Sequence, residues 1–215
     1  MKHIILFIFY FGFSTLLLAQ HYSDEQDEDE IKSLIGKHKE LTGFGNIDFR
    51  IGNLMESQVL IMGGYGGILI NKNVMLGVAA YGLTTKVEFE GVNPKSGVAK
   101  DLNLHGGYAG LLLGFKIWSK EIIHLSFPTV IGGGQLDVSD PGYFTNRPDD
   151  SDYTLESSAY FLFEPSALLE INISNHFRLG FGAGYRIVKG LNLENVEDSD
   201  MSDFTGVISF QLGNF

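Results

Sequence analysis

The sequence predicts an all-β chain, an eight-stranded antiparallel up-and-down transmembrane β-barrel with a short N-terminal periplasmic segment. Three observations carry this reading. From Phe44 onward apolar residues alternate with small or polar ones at period two. The connections between these stretches are short and long in turn, the order required by tight turns at one end of a barrel and longer loops at the other. The face that is not apolar holds glycine and scattered charges of both signs, a composition that suits a crowded interior better than a water-facing surface.

The N-terminus reads Lys2 and His3, then an apolar run from Ile4 to Leu18 broken only by Gly12, Ser14 and Thr15, then Ala19. A short basic region, an apolar core and a small residue form the layout of a secretory signal peptide, residues 1–19. The competing reading is a single membrane helix. It is disfavoured because Ile4 to Ala19 is only 16 residues and acids follow it rather than basic stop-transfer residues. Cleavage after Ala19 leaves 14 basic and 26 acidic residues, a net charge of −12 that excludes nucleic acid as a partner. The chain has no cysteine, so stability after export rests on the fold itself, and no residue near the cleavage point can carry acyl chains.

Residues 20–43 form an acidic segment. SDEQDEDE at 23–30 carries six acids and nothing apolar, the composition of a solvated stretch. Ile31, Leu34, Ile35 and His38 fall at helical spacing, so a short helix is expected over 31–41. The barrel itself is placed at 44–215, with strands near 44–55, 58–70, 74–89, 101–117, 122–137, 155–171, 176–190 and 202–215. The seventh is the clearest: Phe177, Leu179, Phe181, Ala183, Tyr185 and Ile187 alternate with His176, Arg178, Gly180, Gly182, Gly184 and Arg186. The sixth repeats the pattern, setting Ala159, Phe161, Phe163, Ala167, Leu169 and Ile171 against Ser158, Tyr160, Glu164, Ser166 and Glu170. Links at 71–73, 118–121 and 172–175 are short, while those at 90–100, 138–154 and 191–201 are long and polar. The loop around Glu56 and Ser57 is the exception.

Two features depart from a plain ladder. Pro128 and Pro165 lie inside the fifth and sixth strands and lack the N–H that a closed sheet uses, so a bulge or kink is expected with both prolines at a similar height. The last strand ends on Phe215, which resembles the terminal signal read by the barrel insertion machinery. Ile208, Phe210 and Leu212 have the opposite parity, so a bulge near Gly213 would be needed to bring Phe215 onto their face, and without one the match to that signal is weaker.

Four segments carry a resemblance: GFGNIDFRIGNL at 43–54, MGGYGGILINKNVMLGVAAYGL at 62–83, HLSFPTVIGGG at 124–134 and FEPSALLEINISNHFRLGFGAGYR at 163–186. Together they make the chain similar to a group of small outer-membrane β-barrel proteins of Bacteroidetes. The resemblance spans most of the chain after about residue 43 and rests on strand and turn repeats. It implies residence in the outer membrane of a Gram-negative bacterium, with outer-membrane lipid and the insertion machinery as partners. It implies no activity.

The chemistry-bearing residues are few. The glycine runs GGYGG at 63–67 and GFGAGY at 180–185 lack the Lys-Ser or Lys-Thr pair of a phosphate cradle and sit within strands, so they read as packing. No histidine pattern suits a metal, and no cofactor is expected. His105 and His124 are expected to face the lumen on neighbouring strands, with Ser126 near His124. Glu164, Glu170, Arg178 and Arg186 form the sharpest constellation, a lumen charge network in which the four are expected to neutralise one another. The loop acids Asp137, Asp140, Asp149, Asp150 and Asp152, with Glu194, Glu197, Asp198 and Asp200, read as a solvated rim, a divalent cation being the sharper alternative. The function expected is a non-enzymatic integral barrel with an envelope-structural or loop-mediated role. The alternatives are a lipid-modifying barrel enzyme using His124 or His105, and a soluble secreted barrel enclosing an apolar ligand.

Overall fold

The computed structural model describes residues 40–55, 57–140 and 154–215. The expected signal peptide, the acidic block at 23–30, nearly all of the helix expected over 31–41, and Asp149, Asp150 and Asp152 lie outside the described residues.

The strands are β1 (Leu41–Leu54), β2 (Ser57–Ile70), β3 (Val74–Leu83), β4 (Val87–Val92), β5 (Ala99–Ile117), β6 (Ile123–Ser139), β7 (Thr154–Asn172), β8 (Phe177–Tyr185), β9 (Ile187–Lys189) and β10 (Phe204–Gly213). Leu41, expected at the end of a helix, instead begins β1 and pairs with Ile70. β3 and β4 both pair with β5 and form one wall strand, interrupted at Thr84–Lys86. β8 and β9 likewise share β7 as a partner and break only at Arg186. The wall therefore has eight strands. Each is antiparallel to its chain neighbour, and pairing of β1 with β10 closes the ring.

Stagger decides which side chains meet inside. With the β6–β7 register carried across its one unpaired gap, cross-strand positions can be followed from Leu41 through Ile70, Val74, Phe115, Phe127, Ala167, Ala183 and Gly206. The path returns to β1 at Ile51, ten residues beyond its start. An eight-stranded ring with that offset has strands tilted by about 40° and an interior just wide enough for its own side chains.

Turns reinforce this order. Asn71 and Lys72 have φ of 52° and 61°, and Asn73 N–H donates to the Ile70 carbonyl at 3.1 Å. Two consecutive left-handed residues at the centre of this tight turn match the right-handed twist of the flanking strands. The glycines then allow the strands to coil tightly: a Cβ at Gly67 would stand 2.0 Å from the Leu76 carbonyl oxygen, and one at Gly182 2.0 Å from that of Ala167.

At the prolines the expected bulge does not form. β6 pairs with β7 as Ser126↔Leu168 and again as Thr129↔Pro165, in one unbroken register. Pairing lapses between them, where Pro128 has no N–H to give, and the only shift in this ladder lies at Val138/Ser139. The two prolines share one height, so a single gap accommodates both. No bulge shifts Phe215 to the parity of Ile208, Phe210 and Leu212, so its match to the terminal signal is the weaker one. β10 ends at Gly213 without a bulge, and the Phe215 ring packs on the Arg178 guanidinium at 3.8 Å. It follows the parity of the buried Val207, Ser209 and Gln211 and turns inward.

Candidate functional site

The two faces of the wall are chemically inverted relative to a protein in water. Leu111 is 61% exposed, and Phe115 and Phe161 are each 51% exposed; Ile47, Val78, Phe181 and Phe210 share that outer face. Aromatic pairs line it, with Phe115 on Phe127 at 4.8 Å and Tyr185 on Phe204 at 4.7 Å. Inside, Asp48, Arg50, Lys116, Glu164, Glu170, Arg178 and Arg186 are all buried. Soluble monomers rarely leave a continuous apolar surface of this kind uncovered while they bury their charges.

At mid-depth one cluster joins four strands. Arg50 Nη1 lies 2.8 Å from Glu164 Oε2, and Arg50 Nη2 lies 3.1 Å from Asp48 Oδ2. The same Nη2 donates to Tyr81 Oη at 2.8 Å, and Tyr81 in turn donates to Asp48 at 2.8 Å. Tyr108 donates to Glu164 at 2.6 Å and stacks on Tyr81 at 5.0 Å between ring centroids. Each buried charge is thus met by an opposite charge and a hydroxyl, the condition under which burial is tolerated. Nearer the turns, Glu170 accepts from Lys116 and lies 2.8 Å from His124 Nε2, and Lys116 reaches Gln211 Oε1 at 3.2 Å.

All four residues of the expected charge network are inside, but they do not neutralise one another. Glu164 is met by Arg50, and Glu170 by Lys116 and His124. Arg178 donates instead to Asn172 Oδ1 at 2.6 Å and to the Ser119 carbonyl at 3.3 Å. Arg186 donates to the carbonyls of Met201 at 2.7 Å and Asn53 at 3.5 Å. Neighbouring strands put the four on one face, whereas the tilt of the barrel brings other strands across to them. Asp48, Arg50 and Lys116, missed in the sequence, carried a usable signal: each is a charge that alternates with an apolar run of its strand, Ile47, Phe49 and Ile51 in β1 and Leu113, Phe115 and Ile117 in β5.

The loop-side half of the interior is largely apolar, with Arg186 the buried charge within it. Leu54, Val59, Val87, Leu102, Leu104 and Val138 fill it, with Val196 and Met201 folded in from the segment after β9. The void between Leu54, Ile61, Tyr108, Leu136 and Met201 is about 20 Å³. It has room for about one water molecule, too little for an apolar ligand.

The histidines separate. His124 faces inward, buried against Glu170, and the buried Ser126 Oγ has no hydrogen bond among the described residues. His105 does not face the lumen as expected. It shares parity with the exposed Leu111, Leu113 and Phe115 and lies on the outer face near the loops. There Ser139 Oγ is 3.5 Å from its Nδ1, and Asp137 Oδ2 is 4.0 Å from its Nε2. The order serine, histidine, carboxylate is that of a nucleophilic triad. Ser139 is fully buried, however, and both spacings are long, so no lipid carbonyl reaches its hydroxyl as the chain is folded. Gln135 and Ser157 both donate to Asp137, at 3.0 and 2.5 Å, and tie this knot to β7.

The rim acids serve the backbone. Residues Asp198–Met201 form one helical turn in which Glu197 N–H donates to Asp200 Oδ2 at 2.8 Å. Leu191 N–H donates to Asp198 Oδ1 at 2.9 Å, a bond that holds the Asp198 carboxyl below its ordinary value. Glu156 accepts from Glu194 N–H at 3.1 Å. Among the described residues no three histidines or acids gather around a point where a cation would sit.

No protein-family model matches the chain, and no curated protein matches it. Similar solved structures include the N-terminal β-barrel domain of Pseudomonas aeruginosa OprF, at 10% identity over 80% of this chain and 98% of that one, with a TM-score of 0.46. Neisserial surface protein A (NspA) is similar at 9% identity over 83% and 100%, with a TM-score of 0.48. The Yersinia pestis outer membrane protein Ail is similar at 15% identity over 80% and 99%, with a TM-score of 0.37. The barrel assignment itself rests on the hydrogen-bond ladders of this chain, which form a closed ring of eight antiparallel wall strands.

Proposed function

We propose that the chain is a non-enzymatic integral barrel of the outer membrane, sealed along its axis, whose role is structural in the envelope or exercised through its loops. One observation carries this: the wall presents Leu111, Phe115, Phe161 and Phe181 outward while Arg50, Glu164, Lys116 and Glu170 are buried within. A strand-built wall with that inversion satisfies its backbone internally and needs hydrocarbon, not water, around it. The partners that follow are outer-membrane lipid along the wall and the insertion machinery during assembly. Closure follows from the apolar filling around Leu102, Leu104 and Val138, which leaves the loops as the surface available to a soluble partner.

The test is envelope fractionation followed by gel migration with and without boiling. A detergent-dependent outer-membrane protein whose unboiled form migrates as a compact band supports the proposal. Release by carbonate without detergent removes it in favour of a soluble secreted barrel.

A further inference from the structure

The turn-side mouth of the barrel holds a cavity of about 440 Å³ whose floor is Arg178 and whose rim carries Lys72 and Lys120. Ser119, Asn172 and Phe215 complete the wall nearest the guanidinium, and no acidic side chain lines it. These groups come from three separate turns and the end of β10, so closure of the barrel is what brings them together.

Arg178 is held rather than merely present. Its Nε donates to Asn172 Oδ1 at 2.6 Å, its Nη2 to the Ser119 carbonyl at 3.3 Å, and the Phe215 ring covers one face at 3.8 Å. Those contacts fix the plane of the fork and use two of its three nitrogens. The third, Nη1, is buried and has no hydrogen bond among the described residues. Arg178 is 1% exposed and has no ion pair among the described residues; Glu170, which shares this end of the lumen, is bound by Lys116 and His124. A buried guanidinium with a fixed plane and a free donor, whose electrostatic partner Glu170 is already shared by Lys116 and His124, leaves positive charge that an arriving anion offsets. Arg186, also buried without an ion pair among the described residues, lines the void of about 20 Å³.

We propose that this mouth is an oxyanion-binding site, taking a phosphate or carboxylate group on Arg178 Nη1 with Lys120 and Lys72 above it. Lys72 already pairs with Glu40 at 3.2 Å on the exposed rim, so Lys120 is the lysine expected to contribute more. The anion comes either from solution or from the headgroup of an anionic lipid, and the two sources are separable.

The experiment follows the Arg178 Nε–H and the Lys120 backbone resonances of the full barrel in zwitterionic detergent. Sodium phosphate and sodium acetate are titrated against sodium chloride at matched ionic strength, and vesicles with and without phosphatidylglycerol are compared in parallel. Saturable shifts with phosphate or acetate but not chloride identify a site for soluble anions. Shifts seen only with phosphatidylglycerol identify a lipid headgroup site. Lys120→Ala, in an exposed turn that leaves the wall intact, is expected to weaken binding about three- to tenfold, and Arg178→Gln to abolish it, with heat-dependent gel migration confirming that each variant is folded. No saturable shift with any of these probes, or shifts that survive both substitutions unchanged, overturns the proposal.

Discussion

Arg50 on β1 and Glu164 on β7 meet at 2.8 Å across the lumen, although their strands are not neighbours in the wall. The contact exists because the stagger of the barrel lifts one strand past the next until these two positions share a height. Arg50 also holds Asp48, so it stands between two carboxylates.

That arrangement makes the two ends of the ion pair unequal. Arg50→Met strands Asp48 and Glu164 together and is expected to destabilise by about 3–5 kcal/mol, whereas Glu164→Gln leaves Arg50 paired with Asp48 and costs less. Urea unfolding in lipid vesicles measures both. Equal costs, or a smaller cost for Arg50, would show that the cluster is not organised around the arginine.

Leu111 and Val98 are each 61% exposed, but Leu111 lies on the outer wall and Val98 precedes β5 in a loop. Arginine at 111 is expected to cost about 2–4 kcal/mol, as a cation placed on the lipid face of a barrel. At 98 the change should stay within about 0.5 kcal/mol. A water-facing wall would make the two substitutions alike, and the same unfolding assay distinguishes the outcomes.

Glycine at 67 is required by crowding and at 43 is not. A Cβ at Gly67 meets the Leu76 carbonyl oxygen at 2.0 Å, whereas one at Gly43 meets nothing within 4 Å. Gly67→Ala is expected to destabilise by about 1–3 kcal/mol, and Gly43→Ala to stabilise slightly through the unfolded chain. Thermal unfolding of the two variants side by side decides this.

Much of this was legible in the residues. Alternation along β7 and β8 told inside from outside, and short links against long ones gave the up-and-down order. Pairing across the lumen was not legible, because it depends on the offset accumulated around the whole ring and no local pattern encodes that offset. Hence the alternation points Glu164 to Arg178 and Arg186 on the neighbouring wall strand, whereas the offset delivers Arg50. The face of His105 is not legible locally, because its neighbours Asn103 and Asp101 are polar near the loops, where an outward side chain no longer needs to be apolar. Pro128 misled for a different reason: a strand can skip one pairing without changing register when a second proline sits at the same height.

The Asp198 carboxyl is held below its ordinary value by the Leu191 N–H. A group whose folded value is depressed contributes stability above its unfolded value, about 3.9, and loses that contribution as pH falls through the lower folded value. The difference in melting temperature between the native chain and Asp198→Asn should therefore be constant from neutral pH down to about 4–5 and shrink below that. A difference that persists to strongly acidic pH would remove ionisation of Asp198 as its cause.

Ser139, His105 and Asp137 have the order of a triad but a buried hydroxyl. Ser139→Ala and His105→Ala are expected to leave the acyl composition of the outer membrane unchanged when lipids are analysed by mass spectrometry. Loss of one lipid product in both variants would establish an enzyme.

The inversion of the wall is tested most directly by light emission from a chosen outward position. Trp118 is the single tryptophan, so Trp118→Phe gives a dark background into which Phe161→Trp, at an outward site 51% exposed, can be placed. In bilayers of lipids brominated near the acyl-chain ends, the fluorescence of that tryptophan is expected to be strongly quenched, with little response to aqueous acrylamide. Quenching by acrylamide and indifference to the brominated chains would mean that water, not hydrocarbon, surrounds the barrel.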